Sequence, residues 1–179
     1  FPGNLAEPST LDDLLNPANG YQTATVLNHV YGPDANTPDF TYIKGDLTNA
    51  YSSKVGDYKR SMVFLNMKNN EHPAAMLVYD KLTATNPDYK KTWLLHSQAE
   101  PEINGNTVTL RRNDSAYNGK LVNTTLLPSS DVSITKVGGP GNEYSVNGTN
   151  YPNPPLTPVN SDESGAWRVE VSPNVASAT

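Results

Sequence analysis

The stretches YKRSMVFLN (Tyr58–Asn66) and AAMLVYDKL (Ala74–Leu82), joined by the polar run MKNNEHP, decide the fold. Each is rich in apolar residues and about strand length. The link between them is polar and ends in proline. The pair predicts an antiparallel hairpin with a connection longer than a two-residue turn. Side chains alternate along a strand, so Val63, Leu65 and Met67 share one face and Met62 and Phe64 the other. A sandwich strand with water on its outer side needs only one apolar face. The second face is therefore expected to be covered by another layer or by a partner domain.

The same alternation continues in both directions. Upstream, YQTATVLNHV and DFTYIKGD flank the turn YGPDANTPD. Downstream come KKTWLLHS, TVTLRR after the turn PEINGN, NGKLVNTTLLP, DVSITKV, EYSVNG after the breaker GGPGN, and AWRVEVSP. In the last of these, Trp167, Val169 and Val171 face one way and Arg168 and Glu170 the other. NYPNPPLTPVNSDESG reads as a proline-rich loop. The helix signal is STLDDLLNP: Ser9 or Thr10 caps it, Asp12 and Asp13 suit its first turn, and Pro17 stops it. Its Leu11, Leu14 and Leu15 are expected to pack on something larger. Many short strands between regular turn signals predict an all-β fold, an antiparallel two-sheet β-sandwich with one short N-terminal helix. Residues 1–20 form an extension carrying the helix, 21–173 the sandwich, and 174–179 a tail.

Composition narrows the function classes. The chain has 179 residues, enough for a real core, with 13 basic and 18 acidic residues and a formal net charge of −5. That charge, with no RNA-binding signature or zinc knuckle, argues against nucleic acid. No apolar run reaches membrane-spanning length. The absence of cysteine leans towards a bacterial protein rather than a disulfide-stapled animal one. The opening FPGNLAEP carries neither methionine nor signal-peptide pattern and reads as the start of a processed or excised piece.

Four blocks carry a family resemblance: TLDDLLNPANGYQTATVLNH, DFTYIKGDLTNAYSSKVGDYKRSMVFLN, KKTWLLHSQAEPEINGN and GAWRVEVSP. In order and from about Thr10 to Pro173, they resemble the downstream β-sheet half of heparinase II and related heparinase II/III-type polysaccharide lyases. The resemblance implies a β-sandwich that follows a helical toroid. It also implies an ancestry in β-elimination of glycosaminoglycans, where acid–base groups remove the proton beside a uronate carboxylate. The family's HxHLDAG-type stretch does not occur in these residues, so no catalytic or metal-binding role is carried onto any position.

His29, His72 and His96 are the three histidines, and none stands at metal-ligand spacing. His96 reads as a strand-end scaffold residue. GPDANTPD offers oxygens for a structural calcium but lacks the calcium-loop pattern, and no other cofactor is expected. An acidic polysaccharide needs arginine or lysine for its carboxylates and sulfates, and flat aromatic surface for its sugar rings. Lys59–Arg60, Lys90–Lys91 and Arg111–Arg112 supply the charge, with Tyr58, Tyr89, Trp93 and Tyr117 as the aromatic candidates nearby in sequence. Trp167 reads as core, and Trp93 is left open between core and platform.

The expectation is a non-catalytic carbohydrate-binding module of lyase ancestry, secreted or periplasmic in a bacterium. It would bind an anionic, uronate-containing polysaccharide such as heparin or chondroitin sulfate, and its parent chain would hold a catalytic domain. The alternative is the sandwich fragment of a lyase that works only with its toroid half. A third use is structural support of a neighbour through the second apolar face.

Overall fold

The computed structural model describes residues 7–114, 117–151, 166–177 and 179, with Asn113, Asp114 and Tyr117 described by their backbone alone. Half of the residues lie in antiparallel strands, and the chain is all-β and sandwich-like. Most of the proline-rich loop lies outside the described residues. The chain divides into two compact units, Phe1–Tyr89 with Ser177–Thr179, and Lys90–Ala176. The division falls within the span 21–173.

The first unit is built on one four-stranded antiparallel sheet in the order β1 (Thr25–Gly32), β2 (Phe40–Asp46), β3 (Val55–Asn66), β4 (Ala74–Ala84). The β3–β4 hairpin has the long connection that its polar linker predicts. Register places Met62 opposite Val78 and Phe64 opposite Met76 on one face, with Val63 opposite Leu77 on the other. Both faces are apolar, as the alternation requires. Phe64, Met76 and Leu77 are each about half exposed, at 47, 58 and 49%. Of this sheet's side chains, Tyr58 and Ala84 are buried among the hydrophobic ones.

Helix α1 spans Leu11–Leu15. Thr10 caps it and forms a capping box with Asp13: the Asp13 N–H donates to the Thr10 hydroxyl at 3.1 Å, and the Thr10 N–H donates to the Asp13 carboxylate at 3.1 Å. Asn16 and Pro17 then turn the chain into a 3₁₀ turn, Pro17–Asn19. The expectation that its leucines pack on something larger is corrected: Leu11, Leu14 and Leu15 are all exposed. A helix of five residues is little more than one turn and offers no stripe wide enough to bury.

The second unit is a small sandwich. One sheet has the order β5 (Trp93–Ser97), β12 (Trp167–Pro173), β9 (Val132–Gly138), and the other the order β6 (Glu102–Asn104), β7 (Thr107–Asp114), β8 (Tyr117–Thr124). Val108 of β7 and Val169 and Val171 of β12 form the buried cluster between them. Trp93, Leu95, Ile103, Leu110, Val132 and Ile134 pack against it. Trp93 is thus a core residue. Fully burying a valine contributes roughly 1.5–3 kcal/mol, so three central valines hold the two sheets together. Between β9 and β12, the minimal hairpin β10 (Ser145–Val146) and β11 (Thr149–Asn150) turns at Asn147 and Gly148. Both turn residues have positive φ, 50° and 82°, as a type I′ turn demands.

Trp167 sits at the end of β12 on a glycine backbone. A side-chain Cβ at Gly139, whose φ is +77°, would stand 2.6 Å from the indole Cζ2. Lys136 lies 5.6 Å over the ring. The opposite face of β12 is polar. Arg168 donates through Nε and Nη2 to the same Glu170 oxygen at 2.9 and 2.7 Å, and through Nη2 to the Ser145 carbonyl at 2.9 Å.

Candidate functional site

The eight sequence-predicted residues fall in two groups. Lys59, Arg60 and Tyr89 belong to the first unit; Lys90, Lys91, Arg111, Arg112 and Tyr117 belong to the second.

In the first group the charges are committed to neighbouring carboxylates. Strand register puts Asp46 of β2 beside Lys59, and Lys59 opposite Lys81 of β4. The Lys59 ammonium donates to Asp46 at 2.8 Å and also to Asp57. The Lys59 hydrogen bond, followed by the Thr48 hydroxyl and N–H, holds the Asp46 carboxyl well below the usual range. The same bond to Asp46, then the one to Asp57, raises Lys59. Arg60 is opposite Asp80 and binds it as a fork, Nε to Oδ1 and Nη2 to Oδ2, both 2.7 Å. Its guanidinium also lies 5.8 Å over the Tyr58 ring, which meets Tyr51 edge-on at 5.3 Å. Burial, then the Asp80 carboxylate, pushes the Tyr58 phenol up. This is an internal ion-pair cluster. Tyr89 lies under the ammonium of Lys54, 5.2 Å from its ring centre.

In the second group the arrangement is more open. Lys90 is largely exposed, with its ammonium 3.8 Å from Glu170. Lys91 leads towards β5 and is half-buried. The β7–β8 register sets Arg111 directly opposite Lys120, and Arg112 opposite Gly119. Arg111 and Lys120 are exposed; Arg112, on the same side as the core residues Val108 and Leu110, is half-buried. An added Cβ at Gly119 would meet nothing within 4 Å, so the space beside Arg112 is open. Around it lies a pocket of about 440 Å³ between Ser97–Gln98–Ala99 at the end of β5 and the segments Leu110–Arg112 and Gly119–Leu121. Leu110, Leu121 and Arg112 share the face of the hairpin that carries the core residues, while Arg111 and Lys120, one position along, border the pocket from the other face. The Tyr117 side chain lies outside the described residues.

Lys120 is the residue that sequence reading missed. Its signal was present: a hairpin through SAYNG brings NGKLV back along TLRR, and counting the register places Lys120 across from Arg111. The structure puts the Lys59–Arg60 pair among aspartates of its own sheet and the Arg111–Arg112 pair beside an open pocket.

Other candidates resolve locally. In the loop proposed for calcium, Asp34 Oδ1 accepts from the N–H of Asn36 at 2.8 Å and of Thr37 at 2.9 Å. These backbone donors, Thr37 first, lower its pKa. Among the described residues no three or more His, Cys, Asp or Glu side chains gather as a metal site. His96 stands opposite Arg168 in the β5–β12 pair, with its side chain exposed. No helix among the described residues is long and apolar enough to cross a membrane.

No protein-family model matches the chain, and comparison with curated proteins finds no match.

Proposed function

We propose that the chain is a non-catalytic carbohydrate-binding module that holds an anionic, uronate-containing polysaccharide at the β7–β8 end of its second unit. The observation that carries this reading is the open pocket bordered by Arg111, Arg112 and Lys120, with Leu110 and Leu121 on its wall. A sugar ring presents an apolar face and a rim of hydroxyls; leucine surface meets the first, and Ser97, Gln98 and backbone groups suit the second. The guanidinium groups suit carboxylates by paired hydrogen bonds. Attraction at so exposed a site is screened by salt, so binding is modest and weakens as ionic strength rises. The resemblance of the sequence blocks to the sandwich half of heparinase II-type lyases supports the substrate class. A bacterial, secreted or periplasmic setting follows from that class, with a catalytic domain as neighbour in the parent chain. Affinity electrophoresis through gels containing heparin, chondroitin sulfate or alginate at low salt tests the reading. No retardation in any of the three sinks it.

A second reading has its own observation. The four-stranded sheet exposes large apolar side chains on both faces, among them Phe64 and Met76 on one and Leu77 on the other. A sandwich portion that works only beside a toroid half would keep such a surface. Recovery of lyase activity on mixing the chain with that half, with no sugar binding by the chain itself, would favour it.

A further inference from the structure

The strongest unexplained feature is a like-charge pair. Cross-strand neighbours stand about 4.5–5.5 Å apart at Cβ, and like charges placed so destabilise the sheet. Among the described residues two such pairs occur, Lys59–Lys81 and Arg111–Lys120. The first is neutralised, because Lys59 is held by Asp46 and Asp57. The second is not: among the described residues, neither the Arg111 nor the Lys120 side chain has a hydrogen bond or ion pair. Elsewhere in the same unit Lys136 binds Glu100 at 2.6 Å and Arg168 binds Glu170 at 2.7 Å. An acidic chain with carboxylates to spare leaves this one pair bare.

We infer that Arg111 and Lys120 form a subsite for a sulfate ester on the bound polysaccharide. The inference rests on the carbohydrate-binding reading and narrows it. Opposite positions in antiparallel strands project from the same face, so the two cations reach one point from two strands. A guanidinium offers two parallel N–H donors, and an ammonium offers a third donor from another direction. A planar carboxylate has two oxygens, and the arginine fork alone satisfies both. A sulfate ester has three terminal oxygens in a tetrahedral arrangement and can use the fork and the ammonium together. Lys120 is therefore the specificity-determining member: it adds nothing that a uronate carboxylate requires and completes the set for a sulfate.

The test uses the full chain and its Lys120→Gln and Arg111→Gln variants, each checked for wild-type circular dichroism. Mobility is measured in gels containing chondroitin sulfate, the same polymer after chemical desulfation, or polyphosphate. The wild type should bind the sulfated polymer about tenfold more tightly than the desulfated one, a difference of about 1.4 kcal/mol. Lys120→Gln should reduce that preference to about twofold or less, with the larger loss of affinity on the sulfated polymer. Arg111→Gln should weaken binding to both polymers. Equal wild-type binding to the two polymers overturns the sulfate subsite and leaves the carbohydrate reading standing. So does a preference that survives in Lys120→Gln. Retardation by polyphosphate as strong as by chondroitin sulfate overturns the assignment to a sugar sulfate. No retardation by either polysaccharide overturns the carbohydrate reading itself.

Discussion

Arg60 and Asp80 face each other across the β3–β4 pair and share two parallel hydrogen bonds of 2.7 Å. The guanidinium is one-third exposed and the carboxylate less so. Solvent screening discounts the pair, yet the fork geometry keeps it worth about 1–2 kcal/mol. Arg60→Ala should lower the stability of the first unit by that amount in urea denaturation followed by circular dichroism. Polysaccharide binding should be unaffected, because both donors that face Asp80 are already occupied. A stable Arg60→Ala variant with lost binding would place Arg60 in the sugar site after all.

The bare Arg111–Lys120 pair predicts a trade between stability and binding. Lys120→Glu replaces a like-charge neighbour by an opposite one and should stabilise the second unit by roughly 0.2–1 kcal/mol. The same change should abolish retardation by chondroitin sulfate. Thermal melts and gel mobility on one preparation check both arms. A destabilised Lys120→Glu would mean that the register pair does not interact.

Trp167 and Gly139 predict a large local effect from a small change. Gly139→Ala puts a methyl group 2.6 Å from the indole at a φ of +77°, which an L side chain rarely adopts. The cost should be about 1–3 kcal/mol. Val169→Ala empties the centre of the same unit and should cost about 2–3 kcal/mol. Tryptophan fluorescence during denaturation reads both. An unchanged midpoint for Gly139→Ala would show that the strand end moves away from the new methyl group at little cost.

Asp46 predicts an acid limb. Its carboxyl is depressed in the folded chain by Lys59 foremost, then by Thr48. The stabilisation is complete above the unfolded-state value, about 3.9 for aspartate, and is lost as the pH falls through the lower folded-state value. Carbon-13 titration of the Asp46 carboxyl should give a midpoint below the ordinary one. In Lys59→Met it should move back up. A wild-type midpoint in the ordinary range would rule out the ammonium contact.

The strands were legible because alternation with period two is written directly in residues such as Trp167, Val169 and Val171. The β3–β4 hairpin was legible for the same reason. The partners of the cations were not. Asp46 and Asp80 reach Lys59 and Arg60 across strand pairs that are 13 and 20 residues apart in sequence. Only register reveals that these cations are neutralised. Lys120 was missed through the same gap, since its significance comes from the residue across the hairpin and not from its neighbours in NGKLV. The leucines of α1 misled because apolar residues after a capping signal imply a buried stripe, and the helix ends before one forms. The division after Tyr89 depends on where strands pair, and no change in composition marks it.

Both tryptophans of the chain, Trp93 and Trp167, lie in the second unit, while the first holds buried Tyr58 and its neighbour Tyr51. The chain therefore carries a built-in optical label on one of its two halves. Indole emission excited at the red edge of the band reports the second unit alone, whereas circular dichroism sums the strands of both units. Disagreement between the two signals during unfolding would be a measure of how independently the halves melt. It would require no probe beyond the residues already present.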